Sequence, residues 1–186
     1  MEEFRAYNQT AAFSYTALGQ SASGRPAGYI VDHNRILLGH GEETWLRACA
    51  ALRVWKMFPQ PWTAIVPAHE PIVPGLTLTM LARAHGIWWM NGCRIVYLVD
   101  EPAPSANASR RFGFAYGTLT SHVEEGEERF LVEMLPDGSV WYDLRAFSRP
   151  CFWPVRLARP LARRLQSRFV HQSLQAMRSA VGAAIA

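Results

Sequence analysis

The chain has 186 residues, of which 49% are apolar; this is enough to bury one hydrophobic core and excludes a wholly disordered protein. Nineteen basic and 15 acidic residues give a net charge of +4, and Lys56 is the single lysine, so arginine supplies nearly all of the positive charge. No apolar stretch approaches the length needed to cross a bilayer. The composition therefore predicts one globular domain with no membrane span.

The cysteines and the N-terminus bear on the compartment. Cys49, Cys93 and Cys151 lie far apart and in no Cys-x-x-Cys arrangement, which predicts neither a disulfide framework nor a metal site. Residues 1–13 carry two early acids and no apolar core segment of the kind that a signal peptide needs. We therefore expect a cytoplasmic protein with no metal and no cofactor.

The N-terminal part of the chain changes between irregular and regular segments. Residues 13–18 are predicted to form a short strand, 19–28 a loop rich in Gly and Ser, and Ile30–Leu38 a strand. Acids at the start of the next segment and basic residues near its end predict a helix from about His40 to Met57. These boundaries predict an extension and loop over 1–28, followed by a single domain over 29–186.

From Leu76 onward, apolar residues recur at every second position, as in strands of a sheet with one covered face. The predicted strands are 76–83, 87–90, 93–99, 111–119, 127–135 and 139–147, with a long loop at 101–109. Because the links between most of them are short, we expect an antiparallel meander.

The C-terminal segment from Pro160 to about Ser179 has the pattern of an amphipathic helix. One side of this helix carries Ala162, Phe169, Val170, Ser173, Met177 and Ala180. The opposite side carries Arg164, Arg168, His171, Gln175 and Arg178. We expect the first side to lie on the sheet and the basic side to face solvent, and we do not expect it to bind nucleic acid, because no aromatic residues interleave with the arginines.

The turn Leu135–Ser139 sets the register of one hairpin, because Pro136, Asp137 and Gly138 suit a three-residue loop. If Leu135 faces Ser139, the inward pairs are Met134 with Val140, Val132 with Tyr142 and Phe130 with Leu144. All are apolar, which supports this register. One step further, Glu128 falls on the same inward face, opposite Ala146.

The other charges near this hairpin are predicted to be solvated. The outer face is expected to carry a solvated charge ladder of Glu127, Arg129 and Glu133. Glu124 and Glu125 are predicted to be soluble charges of the turn. Glu128 differs because a carboxylate on an apolar face must be paired, hydrogen-bonded or neutral. It either locks the hairpin to the helix or is a functional group at the mouth of a cavity.

Two further features bear on a site. His122 is predicted to be a loop or turn-capping histidine; with Glu128 it is the alternative candidate for an acid–base pair. In the strand near residue 115, Gly113, Ala115 and Gly117 make one face nearly bare. That face is expected either to accept a helix closely or to leave an unfilled volume.

Several segments resemble an uncharacterised bacterial and plant family, the domain of unknown function nineteen-ninety. The resemblance rests on Gly28-Tyr29, Leu38–Gly41, Leu52–Trp55, Gly113–Phe130 and Ala146–Pro150. The family has no established activity, so the resemblance assigns no catalytic residue. The order of elements is similar to the Bet v 1-like, lipid-transfer-like helix-grip superfamily. That likeness implies an α+β fold in which a curved antiparallel sheet grips a long C-terminal helix, with one N-terminal helix and a cavity between sheet and helix.

The main functional hypothesis is a binding module for a small apolar molecule, held between the inner face of the sheet and the terminal helix. The pocket residues expected on this hypothesis are Phe114, Tyr116, Glu128, Phe130, Val132, Tyr142, Leu144, Phe169 and Met177. One alternative is an enzyme acting on a small apolar substrate with Glu128 or His122 as acid or base. Another is an interaction protein that uses the basic helix. The sequence makes no prediction of oligomeric state.

Overall fold

The computed structural model of the chain describes residues 1–84, 86–103, 105, 107–151 and 159–182. The helices are α1 (Glu2–Thr10), α2 (Gly41–Arg53) and α3 (Arg159–Gly182). The strands are β1 (Ile30–His40), β2 (Thr63–Val66), β3 (Thr77–Ala84), β4 (Ile87–Glu101), β5 (Arg110–Thr118), β6 (Glu124–Met134) and β7 (Ser139–Pro150).

The described strands form one seven-stranded sheet in the order β1-β7-β6-β5-β4-β3-β2, and every neighbouring pair is antiparallel. Strands β2 to β7 form the expected meander. Strand β1 closes the sheet by pairing with β7, so the first two strands lie at opposite edges. This arrangement, a curved sheet holding a long C-terminal helix, confirms the predicted α+β helix-grip fold.

The predicted hairpin register is confirmed. Phe130 pairs with Leu144, and Glu128 pairs with Ala146. The backbone N–H of Leu135 donates to the carbonyl oxygen of Ser139 at 2.9 Å. Gly138 has a φ of 80°, the left-handed conformation that this loop requires.

The core lies on the inner face of the sheet, beneath α2 and α3. Trp45, Cys49 and Leu52 of α2 are buried there, as are Met177 and Val181 of α3. On the opposite face, α1 contacts β3 and β4, and the segment from Phe13 to Gly24 covers the middle of the sheet. The sheet is therefore covered on both sides.

Some predicted boundaries are wrong. Strand β4 is continuous where two strands, 87–90 and 93–99, were expected. In the segment 13–18, Phe13 alone makes a β-bridge, to Leu119. Helix α2 ends at Arg53 rather than near Met57, because the chain turns at Trp55, which has a φ of 58°. Helix α1 and the short edge strand β2 were not predicted.

Candidate functional site

A cavity of about 440 Å³ lies between the inner face of the sheet and the first half of α3. Its wall is mainly apolar and includes Trp62, Met80, Trp89, Leu144, Leu165 and Phe169. Trp89 and Leu161 both line the cavity and remain 41% and 38% exposed. The cavity therefore opens to solvent between the β3–β4 hairpin and the start of α3.

Side-chain size along the sheet explains where this volume is left. The cavity end of the inner face carries Ala82, Ala84 and Ala146, and α3 adds Ala162. Small side chains on both walls cannot meet across the gap between sheet and helix. The other end is filled by an aromatic cluster in which Trp55 and Phe114 have ring centroids 5.0 Å apart.

The predicted pocket residues divide between these two ends. Tyr116, Glu128, Leu144 and Phe169 line the cavity. The structure instead places Phe114, Phe130, Val132, Tyr142 and Met177 in the packed core, each 1% exposed or less, away from the cavity wall. Alternation identifies a face of a strand, but it does not tell which part of that face the neighbouring helix fills.

Glu128 lies on the cavity wall, with its carboxylate bound to Tyr116. The Tyr116 hydroxyl donates to Glu128 Oε2 at 2.6 Å, and burial raises the pKa of Tyr116 well above its usual range. Burial also raises the pKa of Glu128 to about 7, although the Tyr116 hydrogen bond opposes this shift. Glu128 therefore exchanges its proton near neutral pH, while Tyr116 keeps its own.

A chain of polar contacts connects α3 with the sheet at the edge of the cavity. Both carboxylate oxygens of Asp32 accept from Arg163, at 2.6 and 3.0 Å. Arg163 also donates to Gln166 Oε1 at 2.8 Å. Gln166 Nε2 in turn donates to Glu124 Oε2 at 2.6 Å and to Ser148 Oγ at 3.2 Å.

Glu124 is therefore not the soluble turn charge that the sequence predicted. It belongs to β6 and lines the cavity, and burial raises its pKa. Its neighbour Glu125 points to the other face, where it binds Arg149 and accepts from the Tyr29 hydroxyl at 3.3 Å. The alternation that placed Glu128 inward also applies to Glu124, once β6 is seen to begin there.

His122 caps the turn before β6, which is one of the two structural roles predicted for it. Its Nδ1 accepts from the backbone N–H of Glu124 at 2.9 Å, so the neutral ring carries its proton on Nε2. Burial lowers the pKa of His122 to about 4. The imidazole is neutral at physiological pH and holds backbone structure beside the cavity.

Asn91 has an unsatisfied acceptor at the cavity wall. The residue is 2% exposed, and its Nδ2 donates to the carbonyl oxygen of Met80 at 3.4 Å. Its Oδ1 has no hydrogen-bond partner among the described residues. With the amide nitrogen directed to Met80, the atom without a partner is the acceptor Oδ1.

The outer face of β6 differs from the prediction. Glu127 is 2% exposed, and the Tyr15 hydroxyl and the Gly19 and Ser21 amides donate to it at 2.8, 2.8 and 2.9 Å. The Ser21 hydroxyl donates to Glu127 as well. The expected solvated charge ladder is wrong, because the N-terminal segment covers this face.

Two further carboxylates of the outer face, Asp143 and Glu133, are buried and paired. Asp143, 4% exposed, accepts from Arg129 at 2.7 Å and binds His33 at 2.7 Å. Glu133, 7% exposed, accepts from Arg35 at 2.9 Å. These contacts belong to the covered face of the sheet and lie apart from the cavity.

The N-terminal segment from Phe13 to Gly24 also covers the bare face of β5. A side chain at Gly117 would collide with the ring of Tyr15, and Ala115 is fully buried. The bare face therefore neither accepts a helix nor leaves a cavity. A loop packs closely against it, and no local pattern within residues 13–24 indicated this.

The basic side of α3 is exposed, as predicted, at the five positions Arg164, Arg168, His171, Gln175 and Arg178. Arg168 stacks on Trp62, with its guanidinium carbon 4.5 Å from the ring centroid. No helix within the described part of the chain is long and apolar enough to cross a membrane. Within that part, no cluster of three His, Cys, Asp or Glu side chains is arranged to hold a metal ion.

Sequence comparison finds a family profile and relatives that match this chain. The family profile described as a domain of unknown function, DUF1990, matches residues 14–176. A UPF0548 protein of Dictyostelium discoideum is 39% identical over 159 residues, covering 82% of this chain and 73% of its own. A UPF0548 protein of Deinococcus radiodurans is 39% identical over 178 residues, covering 89% and 85%.

The solved structures that are similar in fold include the following two. The crystal structure of Ara h 8.0201 has a TM-score of 0.50 at 12% identity, over 83% of this chain and 98% of that one. The di-domain ARO/CYC StfQ from the steffimycin biosynthetic pathway has a TM-score of 0.53 at 13% identity, over 82% of this chain and 51% of that one. At these identities, the likeness shows the fold alone.

Proposed function

The chain belongs to the DUF1990 family, a domain of unknown function, and we propose that it is a binding module for a small, largely apolar molecule. The observation that carries the proposal is the cavity of about 440 Å³ between the sheet and α3. Its volume lies within the range of small-molecule pockets, roughly 300 to 1,000 Å³. An apolar wall with a few polar groups at one side is the usual composition of such pockets.

The contrast between the two ends of the sheet supports this proposal. Around Phe130 and Met177 the same sheet and helix pack without exposure to solvent. A protein in which α3 had only a structural role would gain by filling the other end too, because unfilled volume costs stability. The cavity is open to solvent beside Trp89, so a molecule of suitable size has a route in.

The first test is a fluorescence titration with N-phenyl-1-naphthylamine, an apolar dye that is neutral near pH 7. The unaltered chain is expected to bind one equivalent with a blue shift. Ala146→Phe places a large ring in the cavity and is expected to abolish binding while the protein stays folded. Ala50→Phe, at an exposed position of α2, is the matched control. Equal dye binding by all three proteins would refute the cavity as the binding site.

The physiological ligand is accessible by native mass spectrometry of the protein purified from its own host. A stoichiometric bound molecule, absent from the Ala146→Phe variant, would establish the binding module and identify the class of ligand. The same molecule in both proteins would place its site outside the cavity.

A second candidate function is acid–base catalysis at Glu128. It is favoured by one observation, a carboxyl group on a cavity wall whose pKa burial raises to about 7, since a catalytic acid or base works best near ambient pH. His122 is not a suitable partner, because its Nδ1 is occupied and its pKa is lowered to about 4. Conversion of the recovered molecule by the unaltered protein, lost in Glu128→Gln with binding retained, would support catalysis.

A further inference from the structure

The charges on the cavity wall are all of one sign. Among the described residues that line it, the charged ones are Asp32, Glu124, Glu127 and Glu128, with no Lys or Arg. Glu127 directs its carboxylate to the N-terminal segment on the outer face. Asp32 is matched by the bidentate contact with Arg163. Among the described residues, Glu124 and Glu128 form no salt bridge, although Arg163 lies close enough to lower the pKa of Glu124 against the effect of burial.

The groups that bind these two carboxylates are neutral. Glu124 accepts from Gln166, and Glu128 accepts from Tyr116 through Oε2. Within the described part of the chain, the Glu128 carboxylate accepts a hydrogen bond through Oε2 and none through Oε1. Neutral donors stabilise a buried carboxylate less than a cation does, because charge-assisted bonds between two ions are the stronger kind.

Asn91 gives an independent indication of which chemical groups the ligand carries. Its unsatisfied Oδ1 belongs to a side chain that lines the same cavity and is 2% exposed. A buried acceptor without a partner destabilises the folded protein unless something supplies a donor. Both Asn91 and the two carboxylates therefore call for a ligand that donates hydrogen bonds.

On this basis we infer that the ligand carries a protonated amine, which pairs with Glu128 while the apolar body of the molecule fills the cavity. This inference rests on the proposed binding function and adds the chemical class of ligand. An ammonium group supplies a positive charge, which no described residue of the wall carries, and its several N–H donors can serve more than one acceptor. A carboxylic acid would instead add a like charge beside Glu124 and Glu128.

The protonation of Glu128 links this binding to pH. Titratable and charged groups face Glu128 from each surrounding element: Asp32 of β1, Cys93 of β4, Tyr116 of β5, Glu124 of β6, Tyr142 of β7 and, through Asp32, Arg163 of α3. Burial keeps Cys93, Tyr116 and Tyr142 protonated. Loss of the Glu128 proton as pH rises through neutrality is therefore expected to strengthen the binding of an ammonium ion.

Isothermal titration with three probes of the same apolar body tests the inference: 4-phenylbutylamine, 4-phenylbutanol and 4-phenylbutanoate. At about pH 8, the amine is expected to bind roughly tenfold or more tightly than the alcohol, and the acid least tightly. At about pH 5.5 the advantage of the amine over the alcohol is expected to shrink, because Glu128 is then protonated. This comparison uses the unaltered chain and needs no variant to fold.

Glu128→Gln is expected to lower the affinity for the amine roughly tenfold and to change that for the alcohol far less. Glu125→Gln is the matched control, because Glu125 lies in the same strand but pairs with Arg149 outside the cavity. An amine that binds no more tightly than the alcohol, while the neutral dye still enters the cavity, would overturn the inference and leave the binding module standing. If the dye and all three probes fail to bind, the proposed function fails as well.

Discussion

Glu127 and Glu128 are adjacent in β6, yet they act on opposite faces of the sheet. Both oxygens of Glu127 are occupied, by two backbone amides and two hydroxyl groups. Glu128 receives one hydroxyl group and otherwise meets the cavity. A carboxyl group with a single donor in an apolar setting keeps its proton to higher pH, because burial disfavours the charged form. The difference follows from which face each side chain occupies.

Replacement of Glu128 by Gln is expected to stabilise the protein, and more so at high pH. Burial raises the folded-state pKa of Glu128 from 4.5 to about 7, so the folded chain binds this proton more tightly than the unfolded chain. Its contribution to stability is fully present below about pH 4.5 and is lost as pH rises through about 7. Gln keeps an acceptor for Tyr116 and never ionises.

The expected difference in the free energy of unfolding is about 3 kcal/mol in favour of Glu128→Gln at pH 8, falling to about 1 kcal/mol or less near pH 5. Urea unfolding at both pH values measures it. A variant that is destabilised equally at the two pH values would show that Glu128 is a structural lock between hairpin and helix.

At the scale of elements, α3 is attached to the sheet in two different ways. Its C-terminal half is buried through Met177 and Ser173, and the Ser173 hydroxyl lies 3.0 Å from that of Tyr142. Its N-terminal half lies over the cavity and is tied to β1 by the Arg163–Asp32 pair, whose side chains are 36% and 33% exposed. The first attachment fixes the helix, and the second borders the opening of the cavity.

Arg163→Ala is therefore expected to affect ligand exchange more than stability. A partly exposed ion pair contributes about 1 kcal/mol or less to folding, so the melting temperature should change little. The loss of the contact with β1 should accelerate dissociation of the neutral dye severalfold, as measured by stopped-flow fluorescence. Arg164→Ala, on the exposed side of the same helix turn, should leave the rate unchanged. Equal rates in both variants would exclude a role for the pair in retaining the ligand.

The sequence predicted much of the fold because the hairpins are local. Turn chemistry at Gly138 and alternation from Phe130 to Met134 were enough for the register of β6 and β7. The Pro160–Ser179 pattern located most of α3. The edge strand β2 was missed because its four residues are too few for a period to show.

The site was harder to predict because it depends on contacts between distant segments. Asp32 and Asn34 continue the inward face of Ile36 and Leu38 in β1, so alternation alone could have found them. Gln166 and Arg163 could not be assigned to the cavity without knowing how α3 crosses the sheet. The burial of Glu127 likewise depends on a loop that precedes it by more than 100 residues.

At the scale of the whole molecule, this loop bears on where the domain begins. Residues 1–28 were predicted to be an extension and loop. Within them, α1 and the segment that follows it differ in how far their side chains are buried. In α1, the one buried residue is Asn8. The segment after it buries Tyr15 and Ser21 to 5% and 1% exposure and supplies the donors to Glu127. The family match, which starts at residue 14, includes this segment and leaves α1 out.

Two truncations distinguish these parts. A chain that starts at residue 13 loses α1 and is expected to melt only a few degrees lower, a loss of about 1 kcal/mol. A chain that starts at residue 29 exposes the outer face and leaves Glu127 with none of its donors, so a loss of 3 kcal/mol or more, roughly 10 °C, is expected. Thermal unfolding by circular dichroism measures both. If the two truncated chains melt at the same temperature, the segment from Phe13 to Gly24 is not part of the folding unit and the domain begins at residue 29, as the sequence predicted.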